Sequence, residues 1–159
     1  NSVTPFTVPD APSSVNAVPS NGSATVSWAA PADNGSAITL YTVTTSGGGA
    51  CTTTPPATSC VVPGLANGTP YTFTVVANNA AGLGPAGTSG SVTPFTVPGA
   101  PMGVSATPGN AQITLSWAAP ANTGGSPVTG YTVGGGGTCT PSPATATRCV
   151  VTGDRKSVV

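Results

Sequence analysis

Apolar and polar residues alternate along short stretches of the chain, and this alternation predicts β-strands. Successive side chains of a strand point to opposite faces, so an apolar residue at every second position marks a half-buried strand. The predicted strands, with the residues that share a face, are "SATVSW" (Ala24, Val26, Trp28), "ITLYTVTT" (Tyr41, Val43), a short strand with Cys60 and Val62, and "YTFTVVA" (Tyr71, Phe73, Val75, Ala77). No stretch of useful length has the 3.6-residue period of a helix, and the 18 prolines would interrupt one. The pattern predicts an all-β protein.

The strand pattern occurs twice. The phrase "SVTPFTVPDAP" at residues 2–12 returns as "SVTPFTVPGAP" at residues 91–101. Other residues recur after 89 or 90 positions: Trp28 as Trp117, Tyr41 as Tyr131 and Cys60 as Cys149. This period is longer than the roughly 20–50 residues of solenoid repeats. Each repeat is therefore predicted to be a small domain with its own core.

Four stretches of the first repeat, taken in order, resemble the fibronectin type III domain: "VPDAP", Trp28 followed by "AAP", "ITLYTV" and "GLANGTPYTFTVVANNAAG". The resemblance covers residues 8–94 and implies an immunoglobulin-like sandwich of seven strands in two antiparallel sheets. It also implies that Tyr71 is the family's tyrosine corner, with a buried ring and a hydroxyl bonded to nearby backbone. The residues matching that turn and the expected core are Leu65, Gly68, Thr69, Tyr71, Phe73, Trp28 and Tyr41.

The second repeat follows the same order through Trp117 and Tyr131 to "CVVTG", where the match stops. The first repeat continues "LANGTPYTFTVVA", whereas the second ends "DRKSVV", with Asp154 in the place of Leu65. Residues 99–153 are therefore predicted to be a partial fibronectin type III domain without its last two strands. Its expected core, Trp117 and Tyr131, would then be poorly covered and this half of the chain marginally stable.

The remaining segments follow from the same alignment. Residues 1–7 repeat the last strand of the first domain and are interpreted as the end of a preceding repeat, and residues 95–98 as a linker. Residues 154–159 hold three of the chain's six charged residues and are interpreted as a non-native tail. The chain is thus predicted to be a fragment of tandem β-sandwiches, with the second one truncated.

The composition excludes several function classes. Charged residues make up 4% of the chain, His is absent and the formal net charge is zero, unlike proteins that bind nucleic acid or anionic membranes. No apolar run reaches the 18 residues of a membrane span. Before the tail, the carboxylates and cations are Asp10, Asp33 and Arg148, which are too few for acid–base, triad or paired-carboxylate catalysis. We expect no enzyme and no cofactor, and both aspartates to be turn residues.

The four cysteines form one pair in each repeat, Cys51 with Cys60 and Cys139 with Cys149. A disulfide within each repeat is predicted, closing a loop of about ten residues and contributing about 2–3 kcal/mol. The alternative is a metal site, but zinc-binding cysteines usually lie closer together and the chain has no His to complete the site. Disulfides indicate an extracellular, secreted or cell-surface protein.

The functional prediction is a structural spacer. The resemblance implies a secreted or surface-attached bacterial protein in which such domains separate catalytic or adhesive domains. Tandem domains joined by residues 95–98 are predicted to form a semi-rigid rod, as a monomer whose partners are the neighbouring domains. The alternative is a module that binds polysaccharide or protein directly. Only Phe6 and Phe95 are left outside the cores for such a role, together with surfaces of Thr and Asn.

Three triplets, beginning at Asn21, Asn34 and Asn67, have the sequence Asn-Gly-Ser or Asn-Gly-Thr. This sequence fits the acceptor pattern for N-glycosylation, and Asn-Gly is equally the preferred pair for tight turns. All three lie between predicted strands and are interpreted as turns first.

Overall fold

The computed structural model describes residues 5–134, 139–141 and 143–152. Its regular structure within these residues is entirely antiparallel β, which confirms the predicted all-β fold class. The chain divides after Thr96 into two compact units. The predicted tail 154–159 and the first residues of the segment 1–7 lie outside the described residues.

The first unit contains two antiparallel sheets of three and four strands. Their orders are β1-β2-β5 and β4-β3-β6-β7. The strands are β1 Ser13–Ser20, β2 Ser23–Ala29, β3 Leu40–Thr45, β4 Ala50–Thr53, β5 Ser59–Pro63, β6 Phe73–Asn79 and β7 Gly82–Thr88. Seven strands in this arrangement form the predicted sandwich.

The core of the first unit lies between the two sheets and follows the alternation of the sequence. In β6, Phe73, Val75 and Ala77 are fully buried, and the intervening residues are half-buried. The pairing of β3 with β6 sets Val43 opposite Val75 and Tyr41 opposite Ala77, so both strands turn their apolar faces inward. The buried apolar residues are Ala17, Ala24, Val26, Trp28, Tyr41, Val43, Val62, Leu65, Tyr71, Phe73, Val75 and Ala77.

Tyr71 lies just before β6 and is tied to the turn that precedes it. Its ring is buried, and its hydroxyl accepts a hydrogen bond of 3.0 Å from the backbone N–H of Ala66. Leu65, in the same turn, is also buried, and its N–H donates to the carbonyl of Gly22. This is the arrangement that the resemblance implied for the tyrosine corner.

A disulfide joins Cys51 of β4 to Cys60 of β5, with 6.3 Å between the two Cα atoms. β4 and β5 are each an edge strand of their own sheet, so the disulfide connects the two sheets along one open side of the sandwich. The second unit has a corresponding disulfide between Cys139 and Cys149. The predicted disulfides are confirmed.

The second unit has one three-stranded sheet among its described residues, in the order β10-β9-β8. Its strands are β8 Met102–Gly109, β9 Gln112–Ala118 and β10 Arg148–Thr152. They correspond to β1, β2 and β5 of the first unit. Among the residues that the structure describes, the segment around Tyr131, the counterpart of β3, makes an isolated bridge between Val133 and Cys139.

Trp117 and Tyr131, predicted as core residues that would be poorly covered, are half-buried. The two rings still contact each other, with 5.4 Å between their centroids. In the first unit, β3 pairs with β6 and lies over the opposite sheet. The described residues of the second unit include no counterpart of β6, so no described strand covers these two rings as β6 covers those of the first unit.

Candidate functional site

The two carboxylates of the first unit accept hydrogen bonds from the turn between β2 and β3. The Asp33 carboxylate accepts a hydrogen bond of 3.0 Å from the N–H of Gly35, and the Asp10 carboxylate accepts one from the side chain of Asn34. Arg148 lies exposed on β10. Within the described residues, no three His, Cys, Asp or Glu side chains are grouped as metal ligands would be. The first unit does contain a cluster of hydrogen bonds, and this cluster forms around the segment before β1.

Residues 5–12, here called the leading segment, lie against the turn between β2 and β3. The N–H of Thr7 donates to the carbonyl of Asn34 at 3.2 Å, and the N–H of Asp10 donates to the carbonyl of Ala32 at 3.1 Å. Pro9 is fully buried and Pro12 is buried. The leading segment is therefore fixed to the domain that follows it, although it has no strand partner.

Asn79 holds the leading segment from the other side, at the end of β6. It is 5% exposed and is the one buried polar side chain among the described residues. Its Nδ2 lies 2.8 Å from the carbonyl oxygen of Thr7, 2.9 Å from that of Asp33 and 3.2 Å from that of Ser36. Its Oδ1 accepts a hydrogen bond of 2.8 Å from the N–H of Ala81. One amide thus joins the leading segment, the β2–β3 turn and the β6–β7 turn.

Asn34 adds a second side-chain amide to the same site. Its Nδ2 donates to the carbonyl of Val8 at 2.9 Å and to the carboxylate of Asp10 at 3.0 Å. Its φ of 54° lies in the left-handed region, which Asn tolerates better than most residues. We call Asn34, Asn79 and the backbone groups that they bind the leading-segment clamp.

Glycines of β7 let the leading segment lie directly against that strand. A Cβ on Gly84 would collide with the carbonyl oxygen of Pro9 and would lie 3.5 Å from that of Asp10. A Cβ on Gly87 would collide with the carbonyl oxygen of Pro12. Residues without a side chain are therefore required at both positions for the backbones to approach so closely.

A model of the fibronectin type III domain matches residues 10–93, which is more than half of the chain. The chain belongs to the fibronectin type III family. The matched residues include β1 to β7 and most of the clamp.

The chain spans about a tenth of the curated relative that it matches and less than half of two similar solved structures. The chain is 40% identical over 76 residues to a Kelch domain-containing protein of Saccharolobus solfataricus, covering 48% of this chain but only 10% of that protein. It is 20% identical to the FN1–FN3 domains of chicken CNTN1, covering 69% of this chain and 42% of that one, with a TM-score of 0.51. It is 29% identical to three domains of titin, covering 54% of this chain and 32% of that one, with a TM-score of 0.48.

The far end of the first module is anchored as well. Val92 pairs with Tyr71, and Pro94 is fully buried while its carbonyl accepts a hydrogen bond of 2.8 Å from the N–H of Gly68. Immediately beyond this anchor, Phe95 is 54% exposed, and Phe6 at the equivalent position is 52% exposed. Both rings of the repeated phrase are therefore accessible beside the points where the chain enters and leaves the module.

Asn79 was missed by the sequence analysis, although the sequence contains a signal for it. It continues the inward series of Phe73, Val75 and Ala77, so a polar residue stands at a core-facing position of a strand. Such a residue must satisfy its hydrogen bonds inside the protein. Which groups it binds could not be read from the sequence, because they lie 43 to 72 residues away along the chain.

Proposed function

We propose that the chain is a non-catalytic spacer in a larger extracellular protein, where its fibronectin type III modules hold other domains at a set distance. The leading-segment clamp is the observation that carries this proposal. A flexible tether needs no contacts with the module behind it. Here Thr7, Val8 and Asp10 all make backbone hydrogen bonds to the module that follows them.

The same reasoning applies to the segment after the first module. Pro94 is anchored to the first module, and the N–H of Gly99 donates to the carbonyl of Asn122 in the second unit at 2.8 Å. Residues 95–98 are then the stretch between the two anchors, and they end in a proline. Four residues with a fixed φ at one end allow little bending, which supports a semi-rigid rod.

The composition and the cysteines support the rest of this proposal. Two disulfides suit an oxidising compartment, and we propose secretion or attachment to a bacterial cell surface. Within the described part of the chain, no helix has the length and hydropathy to cross a bilayer. We propose a monomer that has the neighbouring domains of its own polypeptide as partners and uses no cofactor.

Backbone ¹⁵N relaxation of the full chain tests the spacer role. If residues 95–98 connect the modules stiffly, the order parameters of the N–H groups of residues 95–97 should approach the roughly 0.85 of a rigid backbone, whereas Pro98 has no N–H to measure. Values below about 0.6 across this stretch, with independent tumbling of the two units, would refute the rod. Asn16→Ala, an exposed change on β1, serves as a control that should leave the values unchanged.

A second candidate function, binding of an uncharged polysaccharide, is favoured by the outer face of the four-stranded sheet. Thr44 lies opposite Thr74, Thr74 opposite Thr88, and Thr42 opposite Thr52, so hydroxyls stand side by side across neighbouring strands. The Oγ1 atoms of Thr44 and Thr74 are 2.7 Å apart. Hydroxyls with adjacent methyl groups can bind sugar hydroxyls and also contact the apolar faces of sugar rings.

Co-sedimentation with insoluble polysaccharides distinguishes the two functions. A pure spacer stays in the supernatant. If the threonines on the outer face of the four-stranded sheet bind the polysaccharide, the double change Thr44→Val and Thr74→Val should abolish sedimentation. Valine has the shape of threonine but lacks its hydroxyl. Thr25→Val, on the outer face of the other sheet, should not abolish sedimentation.

A further inference from the structure

The three Asn-Gly pairs of the first module, at Asn21, Asn34 and Asn67, are chemically labile in an unfolded chain. The glycine nitrogen loses its proton and attacks the Cγ of the asparagine side chain, and ammonia leaves with the formation of a five-membered succinimide. Water then opens the ring to aspartate or isoaspartate, so no oxidant or reductant is needed. Glycine favours the attack because it has no Cβ to obstruct the nitrogen.

In the structure the attacking nitrogen of every pair donates a hydrogen bond. The N–H of Gly22 donates to the side-chain Oδ1 of Asn67 at 2.9 Å, and the N–H of Gly68 donates to the carbonyl of Pro94 at 2.8 Å. The N–H of Gly35 donates to the Asp33 carboxylate at 3.0 Å. A proton shared with an acceptor is harder to remove, so each of these bonds opposes the first step.

The asparagine side chains are held as well. The Nδ2 of Asn67 donates to the Oδ1 of Asn21 at 2.8 Å. The Asn21-Gly22 and Asn67-Gly68 pairs are therefore bonded to each other, although their asparagines are 46 positions apart in the sequence. The side chain of Asn34 is held by its bonds to Val8 and Asp10 in the leading-segment clamp. Rotation of the Cγ towards the following nitrogen would break these bonds in each case.

We propose that Asn21, Asn34 and Asn67 are sites of spontaneous deamidation that the native fold suppresses, so that conversion of Asn21 or Asn67 marks a module that has unfolded. The protection differs among the three. Gly22 and Gly68 are held by distant parts of the chain and are released only when the module opens, whereas Gly35 is held by a carboxylate two residues away in an exposed turn. Asn34 is therefore the first site to convert in a folded module.

Conversion of Asn34 also affects the clamp. The product carries a carboxylate, which has no N–H to donate to Val8 and would lie where the amide nitrogen now contacts the Asp10 carboxylate at 3.0 Å. Two like charges at that distance repel each other. A module that has deamidated at Asn34 thus refolds with a weakened hold on its leading segment.

Peptide mass spectrometry with isoaspartate detection tests the proposal on the full chain. The chain is incubated in mildly alkaline buffer, either native or in concentrated urea. For a module of ordinary stability, Asn21 and Asn67 should convert at least about a hundredfold more slowly in the native sample, since they react only from the rare open state. Equal rates in the two samples would overturn the proposal.

Two changes at one position test the role of the Asn67 acceptor. Asn67→Ala removes the acceptor of the Gly22 N–H, so Asn21 should convert faster in the native chain while the rate at Asn34 stays unchanged. Asn67→Asp keeps an acceptor oxygen for the Gly22 N–H but loses the donor to the Asn21 side chain, so Asn21 should convert at a rate between those of the unaltered chain and Asn67→Ala. Tryptophan fluorescence reports whether each variant is folded. If the alanine variant unfolds, the aspartate variant decides alone, and conversion of Asn21 in the folded aspartate variant as fast as in urea would refute the mechanism.

Discussion

The two units of this chain share the same tryptophan–tyrosine pair, but only the first unit buries it. Trp28 is 6% exposed against its partner Tyr41, whereas the equivalent Trp117 and Tyr131 are half-buried. In the first module β6 places Phe73, Val75 and Ala77 over the opposite sheet. In the second unit, Trp117 and Tyr131 line an open cleft of about 320 Å³. An alternating sequence determines which face of a strand is apolar, and the opposite sheet determines whether that face is buried.

The first two strands of each unit pair in the same register, although the two units differ in how far their side chains are buried. The hairpin of β1 and β2 pairs Pro19 with Ala24, and the hairpin of β8 and β9 pairs Pro108 with Ile113 in the same register. Both hairpins carry an irregularity near the start of the first strand. It contains a residue with positive φ in each case, Ser14 and Gly103 respectively. Hairpin register is therefore a local property of these sequences, independent of the second sheet.

Replacing the two tryptophans should give the largest difference between the units. Trp28→Ala removes a buried ring and should lower the free energy of unfolding of the first module by about 3–5 kcal/mol. Trp117→Ala removes a half-buried ring and should cost the second unit less than half as much. Urea unfolding followed by amide NMR signals of each unit measures both values. Equal losses in the free energy of unfolding would mean that Trp117 is buried as completely as Trp28.

Removing the Asn79 side chain should have the next largest effect, and it should be confined to one region. Asn79→Ala leaves three backbone carbonyls without their donor and should cost about 1–3 kcal/mol. Amide exchange at Thr7 and Asp10 should accelerate, because the leading segment loses its anchor. Asn78→Ala, the half-buried neighbour on the opposite face of β6, is the matched control. Unchanged exchange at Thr7 in Asn79→Ala would show that the other contacts suffice to hold the segment.

A smaller effect on stability is expected at the turns of the β1–β2 and β8–β9 hairpins, where Gly22 of the first repeat corresponds to Ala111 of the second. Gly22 has a φ of 63°, and the equivalent Ala111 has a φ of 52°, a left-handed conformation that disfavours alanine. Ala111→Gly should therefore stabilise the β8–β9 hairpin by about 0.5–1 kcal/mol, and Gly22→Ala should destabilise the β1–β2 hairpin by a similar amount. Thermal unfolding of each variant measures these changes. A loss of stability in Ala111→Gly would contradict the comparison.

The strands and the disulfides of the first module could be predicted from the sequence, whereas the leading-segment clamp could not. Strict alternation and the cysteine spacing depend on residues that are close along the chain, and both predictions are confirmed for the first module. The leading-segment clamp depends on Asn79 contacting Thr7, 72 residues earlier, and on two glycines of β7 whose missing side chains matter only once the fold is known. Alternation alone does not show which strands lie opposite Tyr131, but comparison of the two repeats predicted that this ring would be poorly covered, and its half-burial agrees with that prediction.

The smallest expected effect concerns pH. Burial raises the pKa of the Tyr41 hydroxyl above its ordinary value of 10.0, because the charged form is poorly solvated between the sheets. The unfolded chain then loses this proton at lower pH than the folded module. The stabilisation is fully present below pH 10.0 and is lost as the pH rises towards the raised pKa. Tyr41→Phe keeps the ring, so its stability should match that of the unaltered chain near neutral pH and decline less steeply above pH 10.0. Urea titrations of both proteins on either side of that value measure the two slopes, and parallel slopes would show that Tyr41 does not contribute to the alkaline loss.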